Sequence, residues 1–188
     1  MGNLSDTALI VVDVQKGFDE VEFWGARNNS SCESNIAFLI AKWKEWQYPV
    51  VFVRHDSKIP GSPLFPNSLG NSFKDVIDGT PNVLISKSVN SAFLGTPNLH
   101  EWLQEHKISS VAICGITTNH CCETTARFAG NLGYETYFVI DATYTFDRRA
   151  LDGTIITADE LSKVTAANLQ DEFAKVVTVS EMIKAVSH

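Results

Sequence analysis

No block of lysine or arginine interrupts this 188-residue chain, whose 15 basic and 22 acidic residues leave a formal charge of −7. That balance disfavours non-specific binding to nucleic acid or to anionic membranes. Cysteine is scarce, four in all with two of them adjacent, which is no disulfide framework and fits a reducing, cytoplasmic setting. No apolar run approaches the length needed to cross a bilayer. The start, Met1-Gly-Asn-Leu-Ser-Asp6, has no basic segment followed by an apolar stretch, so no leader is expected. The turns between strands and helices hold no GxGxxG and no Walker-type glycine–lysine loop, so no nucleotide cofactor is expected. No repeat, low-complexity tract or linker divides the chain, and one domain over 1–188 is the simplest reading.

What is present alternates. Apolar runs at Ala8–Val12, Val50–Val53, Val83–Ile85, Val111–Ile113, Thr136–Ile140 and Val176–Val179 read as strands. Segments from about Glu33 to Gln47, Leu99 to His106, Asn119 to Leu132 and Ala158 to Phe173 have helical spacing. Runs that are apolar throughout are buried on both faces, as in a parallel sheet covered by helices. The succession predicts a three-layer, Rossmann-like α/β fold with a mainly parallel six-stranded sheet and helices on both faces. The Pro-, Gly-, Ser- and Asn-rich stretch between Asp56 and Pro81 is long for a connection and is expected to carry function.

Chemistry concentrates at strand ends. Cys121 follows the fourth run after a short polar turn, where the first turn of a helix is expected, so its thiolate should be accessible near neutral pH. Cys114, inside the apolar run, reads as a structural cysteine. Asp13 ends the first strand and Lys87 the third. In a parallel sheet all three converge on one edge, where a carboxylate can take a thiol proton and a lysine can hold both anions.

Asp13-x-Gln15-x-x-Phe18, Ile85-Ser-Lys-Ser-Val-Asn-Ser-Ala-Phe93, and Gly115-x-x-Thr118-x-x-Cys121-x-x-x-Thr125 together resemble the isochorismatase-like cysteine hydrolases. Gly133-Tyr134 and Asp141-Ala142 continue the match. The resemblance implies Cys121 as nucleophile, Asp13 as general base and acid, and Lys87 as the group that polarises both. It also implies a cis peptide at Ile116–Thr117, which would aim backbone N–H groups, those of Thr117 and Cys121 among them, at a developing oxyanion. A homo-oligomer, dimer or tetramer, is implied as well. The expected activity is hydrolysis of a small molecule's amide-type C–N bond, other than a peptide bond, through a thioester. Cysteine at this position argues against isochorismatase activity itself.

Nicotinamidases of this superfamily hold a divalent metal through an Asp-x-His pair. Here His55 is present, but Val53 stands at the acidic position and no histidine lies between His55 and His100, so no metal is expected. The pattern is closer to metal-free members such as streptothricin hydrolase and N-carbamoylsarcosine amidohydrolase. A metal-dependent nicotinamidase is the alternative within the class. A thiol redox protein using Cys121 and Cys122, or a non-catalytic binding protein on this scaffold, are the alternatives outside it. Cys122 is expected to pack into the core. Phe18, Trp24, His55 and Phe93 are candidate pocket residues, with Gln15 and Asn119 as polar contacts at its floor. Thr145-Phe-Asp-Arg-Arg149 is expected at the rim or in a subunit contact, with Arg148 and Arg149 solvated or ion-paired.

Overall fold

A computed structural model describes residues 7–186; the reading of Met1–Asp6 lies outside the described residues. In chain order the elements are β1 (Ala8–Val12), α1 (Val21–Trp24), α2 (Cys32–Glu45), β2 (Val50–His55), β3 (Val83–Lys87), α3 (Leu99–Glu105) and β4 (Ser110–Ile116). They continue with α4 (Glu123–Asn131), β5 (Glu135–Tyr144), β6 (Arg148–Arg149), β7 (Ile155–Ile156), α5 (Ala158–Leu169), β8 (Lys175–Val177) and α6 (Val179–Val186). The main sheet has six strands in the order β3-β2-β1-β4-β5-β8, and every neighbouring pair is parallel.

Alternating side chains of β1 serve two cores, one on each face of the sheet. Leu9 and Val11 pack with Ile36, Leu39, Ile40 and Trp43 of α2 and with Met182 of α6. Ala8, Ile10 and Val12 pack with Leu99 and Leu103 of α3, Ala126 and Ala129 of α4, and Leu169 of α5. The helical spacing read in α2 is thus its buried stripe, and the Trp43 indole donates to the Thr7 carbonyl at 2.8 Å. α5 begins in a reciprocal Thr157–Glu160 capping box.

The chain winds outward in opposite directions from β1 and β4, so the carboxyl ends of these two strands flank the topological switch point, the usual ligand crevice of such sheets. Gly115 makes that junction possible. Its φ is +129°, and a Cβ there would run into the Val12 backbone.

The sixth strand ends at Val177, and Val179, read as its last residue, instead opens α6, which the sequence reading did not contain. Two further elements depart from that reading. β5 runs ten residues, past Asp141, whereas the reading stopped it at Ile140. Asp141 is tolerated within the strand because its Oδ1 accepts the Val179 N–H at the start of α6, at 2.8 Å. Its carbonyl accepts from Asn29 and Asn35 as well. The second departure is the β6–β7 ribbon, an antiparallel pair of two-residue strands that leaves Leu151 fully exposed at its tip. No helix among the described residues is long and apolar enough to cross a membrane.

Candidate active site

β1 ends abruptly because Asp13 turns the backbone with φ +51°. The Asp13 side chain is completely buried. Lys87, at the last position of β3, is in register with His55 of β2, and its aliphatic arm carries the ammonium across β2 towards Asp13. The Lys87 Nζ lies 2.6 Å from Asp13 Oδ2, 3.2 Å from His55 Nδ1 and 3.4 Å from Cys121 Sγ. An ammonium has three protons and no lone pair, so these three acceptors use it completely. His55 Nδ1 must then accept, which assigns the ring as the Nε2–H tautomer. Burial, followed by the charge on Lys87, lowers the His55 pKa and keeps the ring neutral. For Lys87, burial opposes the charge, but Asp13 and Cys121 outweigh it and raise its pKa.

Cys121 sits in a single π-helical turn, Thr118–Cys122, which runs directly into α4. Such turns recur at functional sites. The Ile116–Thr117 peptide that introduces the turn is cis. The resting thiol differs from the sequence expectation. Burial first, and the Asp13 carboxylate second, push the Cys121 pKa well above 9.0, and Lys87 offsets them only in part. The thiolate is therefore not the resting form at neutral pH; proximity to a helix start is outweighed by desolvation. Asp13 Oδ1 is buried without a hydrogen-bond partner among the described residues.

A cavity of about 140 Å³ opens above the thiol, lined by Phe18, Trp24, His55, Leu64, Asn90, Thr117, His120 and Cys121. Trp24 and Phe18 form an aromatic wall with ring centroids 4.9 Å apart, and Phe146 stacks behind Trp24 at 5.5 Å. Trp24 lies in the one-turn helix α1 rather than in a loop, held by its indole donating to the Gly17 carbonyl at 2.8 Å.

Three residues assigned to the pocket from sequence lie outside this lining. Gln15 is fully buried and its amide is already used: it donates to the carbonyls of His55 and Asn71, at 3.0 and 2.9 Å, and accepts the His55 N–H at 2.8 Å. Asn71 in turn donates to the Leu64 carbonyl, so Gln15 fastens the 56–72 segment to the sheet. Phe93 packs in the core beside Phe128 and Tyr134. Asn119 accepts a hydrogen bond from Thr145 at 2.5 Å. Conversely, Leu64, Asn90 and His120 line the cavity without having been singled out. Asn90 and His120 lie within the quoted motifs, three residues after Lys87 and one before Cys121, which was the available signal. Leu64 lies in the Asp56–Pro81 stretch that was expected to carry function, but its own place in the lining depends on how the 56–72 segment folds back.

Cys122 is fully buried, and all four cysteines are free. Ligand atoms of Asp13, His55 and Cys121 lie within 4.8 Å of one another, a grouping that could hold a metal. The Lys87 ammonium already contacts all three, however, and a divalent ion sharing those donors would be pressed against it. Val53, at the position of the missing acidic ligand, is fully buried in the apolar core. The donor set does not fit a divalent metal.

Residues 7–181 match the Isochorismatase domain family. The chain belongs to the isochorismatase family, whose characteristic α/β sheet it has. Among its relatives is YrdC of Bacillus subtilis, described as an isochorismatase family protein, 41% identical over 94% of both chains. Another is nicotinamidase 3 of Arabidopsis thaliana, 28% identical over 98% of this chain and 90% of that one. A crystal structure of an isochorismatase-family protein from Chromobacterium violaceum superposes with a TM-score of 0.92. It is 32% identical, over 97% of this chain and 94% of that one.

Proposed function

We propose that this chain is a metal-independent cysteine hydrolase that cleaves an amide-type C–N bond of a small molecule. The observation that carries the reading is the divided Asp13 carboxylate. Lys87 holds Oδ2 at 2.6 Å, while Oδ1 is buried, unpartnered and free to take a proton. Cys121 Sγ attacks the amide carbonyl carbon as its proton passes to Asp13, so the raised thiol pKa is met by a base positioned for the moment of attack. Backbone N–H groups of Thr117 and Cys121 stabilise the oxyanion; losing one such donor typically costs about 3–4 kcal/mol. The tetrahedral intermediate collapses, Asp13 returns the proton to the departing nitrogen, and ammonia or an amine leaves. Water, deprotonated by Asp13, then attacks the thioester. The acid product leaves and the Cys121 thiol is restored.

His55, as the neutral Nε2–H tautomer, serves as a polar group of the cavity, with Phe18 and Trp24 as its apolar wall. The enzyme works as a homo-oligomer, dimer or tetramer, in a reducing, cytoplasmic compartment. The test is ammonia release from a panel of small amides, ureido acids and lactams. Turnover should vanish in Cys121→Ala and be indifferent to chelator in wild type. Turnover abolished by chelator would return the metal-dependent nicotinamidase reading.

A further inference from the structure

Arg148 is a guanidinium without an anion. Its Nε is buried with no hydrogen-bond partner, and among the described residues its side chain makes no ion pair. Its surroundings make the omission specific. The neighbouring carboxylate, Asp147, is turned away, accepting the Ala158 N–H at 2.8 Å to cap α5. Arg149 is exposed and donates to the Gly153 carbonyl at 3.0 Å. Arg27, the other part-buried arginine of this region, binds both carboxylate oxygens of Glu33 and lies over the Tyr144 ring. Arg148 is only half-buried, but desolvating its Nε without a partner still carries a cost that an anion joining the guanidinium would offset.

The position of Arg148 says which anion. Phe146 and Arg148 lie two apart on an extended run and so share a face. Phe146 stacks on Trp24, a wall of the cavity. Thr145, one residue before Phe146, is bonded to Asn119 in the turn that carries His120 and Cys121. His120 lines the cavity, and the charge on Arg148 is among the causes that lower its pKa, after burial. Arg148 is not itself among the lining residues, but these links tie it to the His120 side of the cavity.

We propose that Arg148 is a specificity-determining residue that receives a carboxylate of the substrate, so that the bond cleaved belongs to a small amide bearing an anionic group away from its scissile carbonyl. Guanidinium binds carboxylate in a two-pronged, charge-assisted geometry that lysine reproduces only as a point charge. The proposal rests on the reading of Cys121 as the nucleophile, and its test separates the two.

Iodoacetamide alkylation of Cys121, followed by peptide mass, is measured with competitors: straight-chain carboxylates from acetate to hexanoate, and the matching primary amides. At least one carboxylate should protect the wild type. Its apparent dissociation constant should rise about tenfold or more in Arg148→Gln, with partial recovery in Arg148→Lys, while the matching amide shows no such dependence. Equal protection in wild type and Arg148→Gln, or no protection of the wild type by any acid, overturns the proposal. A change in oligomeric state by light scattering with protection intact would also overturn it, assigning Arg148 to a carboxylate of another subunit. Label landing on cysteines other than Cys121 would count against the nucleophile itself.

Discussion

Lys87→Met removes the cation from the middle of the site while keeping most of its volume. Both members of the Lys87–Asp13 pair are completely buried, and Asp13 Oδ2 has Lys87 at 2.6 Å while Oδ1 has no partner. The substitution strands a buried carboxylate, and breaking such a pair from one side costs about 3–5 kcal/mol. For a chain of this length each kcal/mol moves the thermal midpoint by about 2–4 °C, so a fall of about 6–20 °C is expected. Urea unfolding followed by tryptophan fluorescence reads the change, since Trp43 is fully buried. The control is Asp13→Asn combined with Lys87→Met, which removes both charges. It should regain about half or more of the lost stability, because a neutral pair of similar shape carries no uncompensated charge. Neither variant should turn over. A double variant no more stable than Lys87→Met would refute the reasoning and assign the loss to packing.

Two further outcomes follow from the same geometry. Because burial and Asp13 raise the Cys121 thiol above its ordinary 9.0, its thiolate fraction should grow with pH throughout the neutral and mildly alkaline range. The iodoacetamide rate should accordingly climb about tenfold per unit from pH 7 to 9, and a plateau near pH 7 would show a depressed thiol instead. Gln15→Leu should cost about 1–3 kcal/mol through the backbone groups of His55 and Asn71 it leaves unpaired. Limited proteolysis between residues 56 and 72 should then accelerate, and unchanged cleavage would mean that other bonds hold that segment.

The sequence made the sheet legible because strands buried on both faces are written as uninterrupted apolar runs, as at Ala8–Val12 and Val111–Ile113. β5 was cut short because Asp141 reads as a strand end, and only its bond to the Val179 N–H explains why a carboxylate is accommodated there. The two-residue strands β6 and β7 are too short to show periodicity. At the site, Asp13, Lys87 and Cys121 could be picked out because residue type and strand-end position together are informative. The state of the thiol could not, since it depends on burial that only the packed chain supplies. Gln15 shows the same limit: an amide near a strand end can face a ligand or tie down a loop, and its partners lie up to 56 positions away. Arg148 was expected to be solvated or paired; it is half-exposed and has no ion pair among the described residues, Asp147 having turned to cap α5.

The proposed reacting groups and the cavity walls come from different kinds of chain. Asp13 and Lys87 stand at the ends of sheet strands and Cys121 on the turn after β4, whereas Phe18, Trp24 and Leu64 belong to two connecting segments draped over that edge. Loops of that kind tolerate replacement better than strands do. Substrate preference could therefore be retargeted by exchanging residues 16–25 and 57–70 between relatives, leaving the bond-breaking apparatus untouched. Gln15 and Asn71, the two amides that anchor the grafts, would have to travel with them.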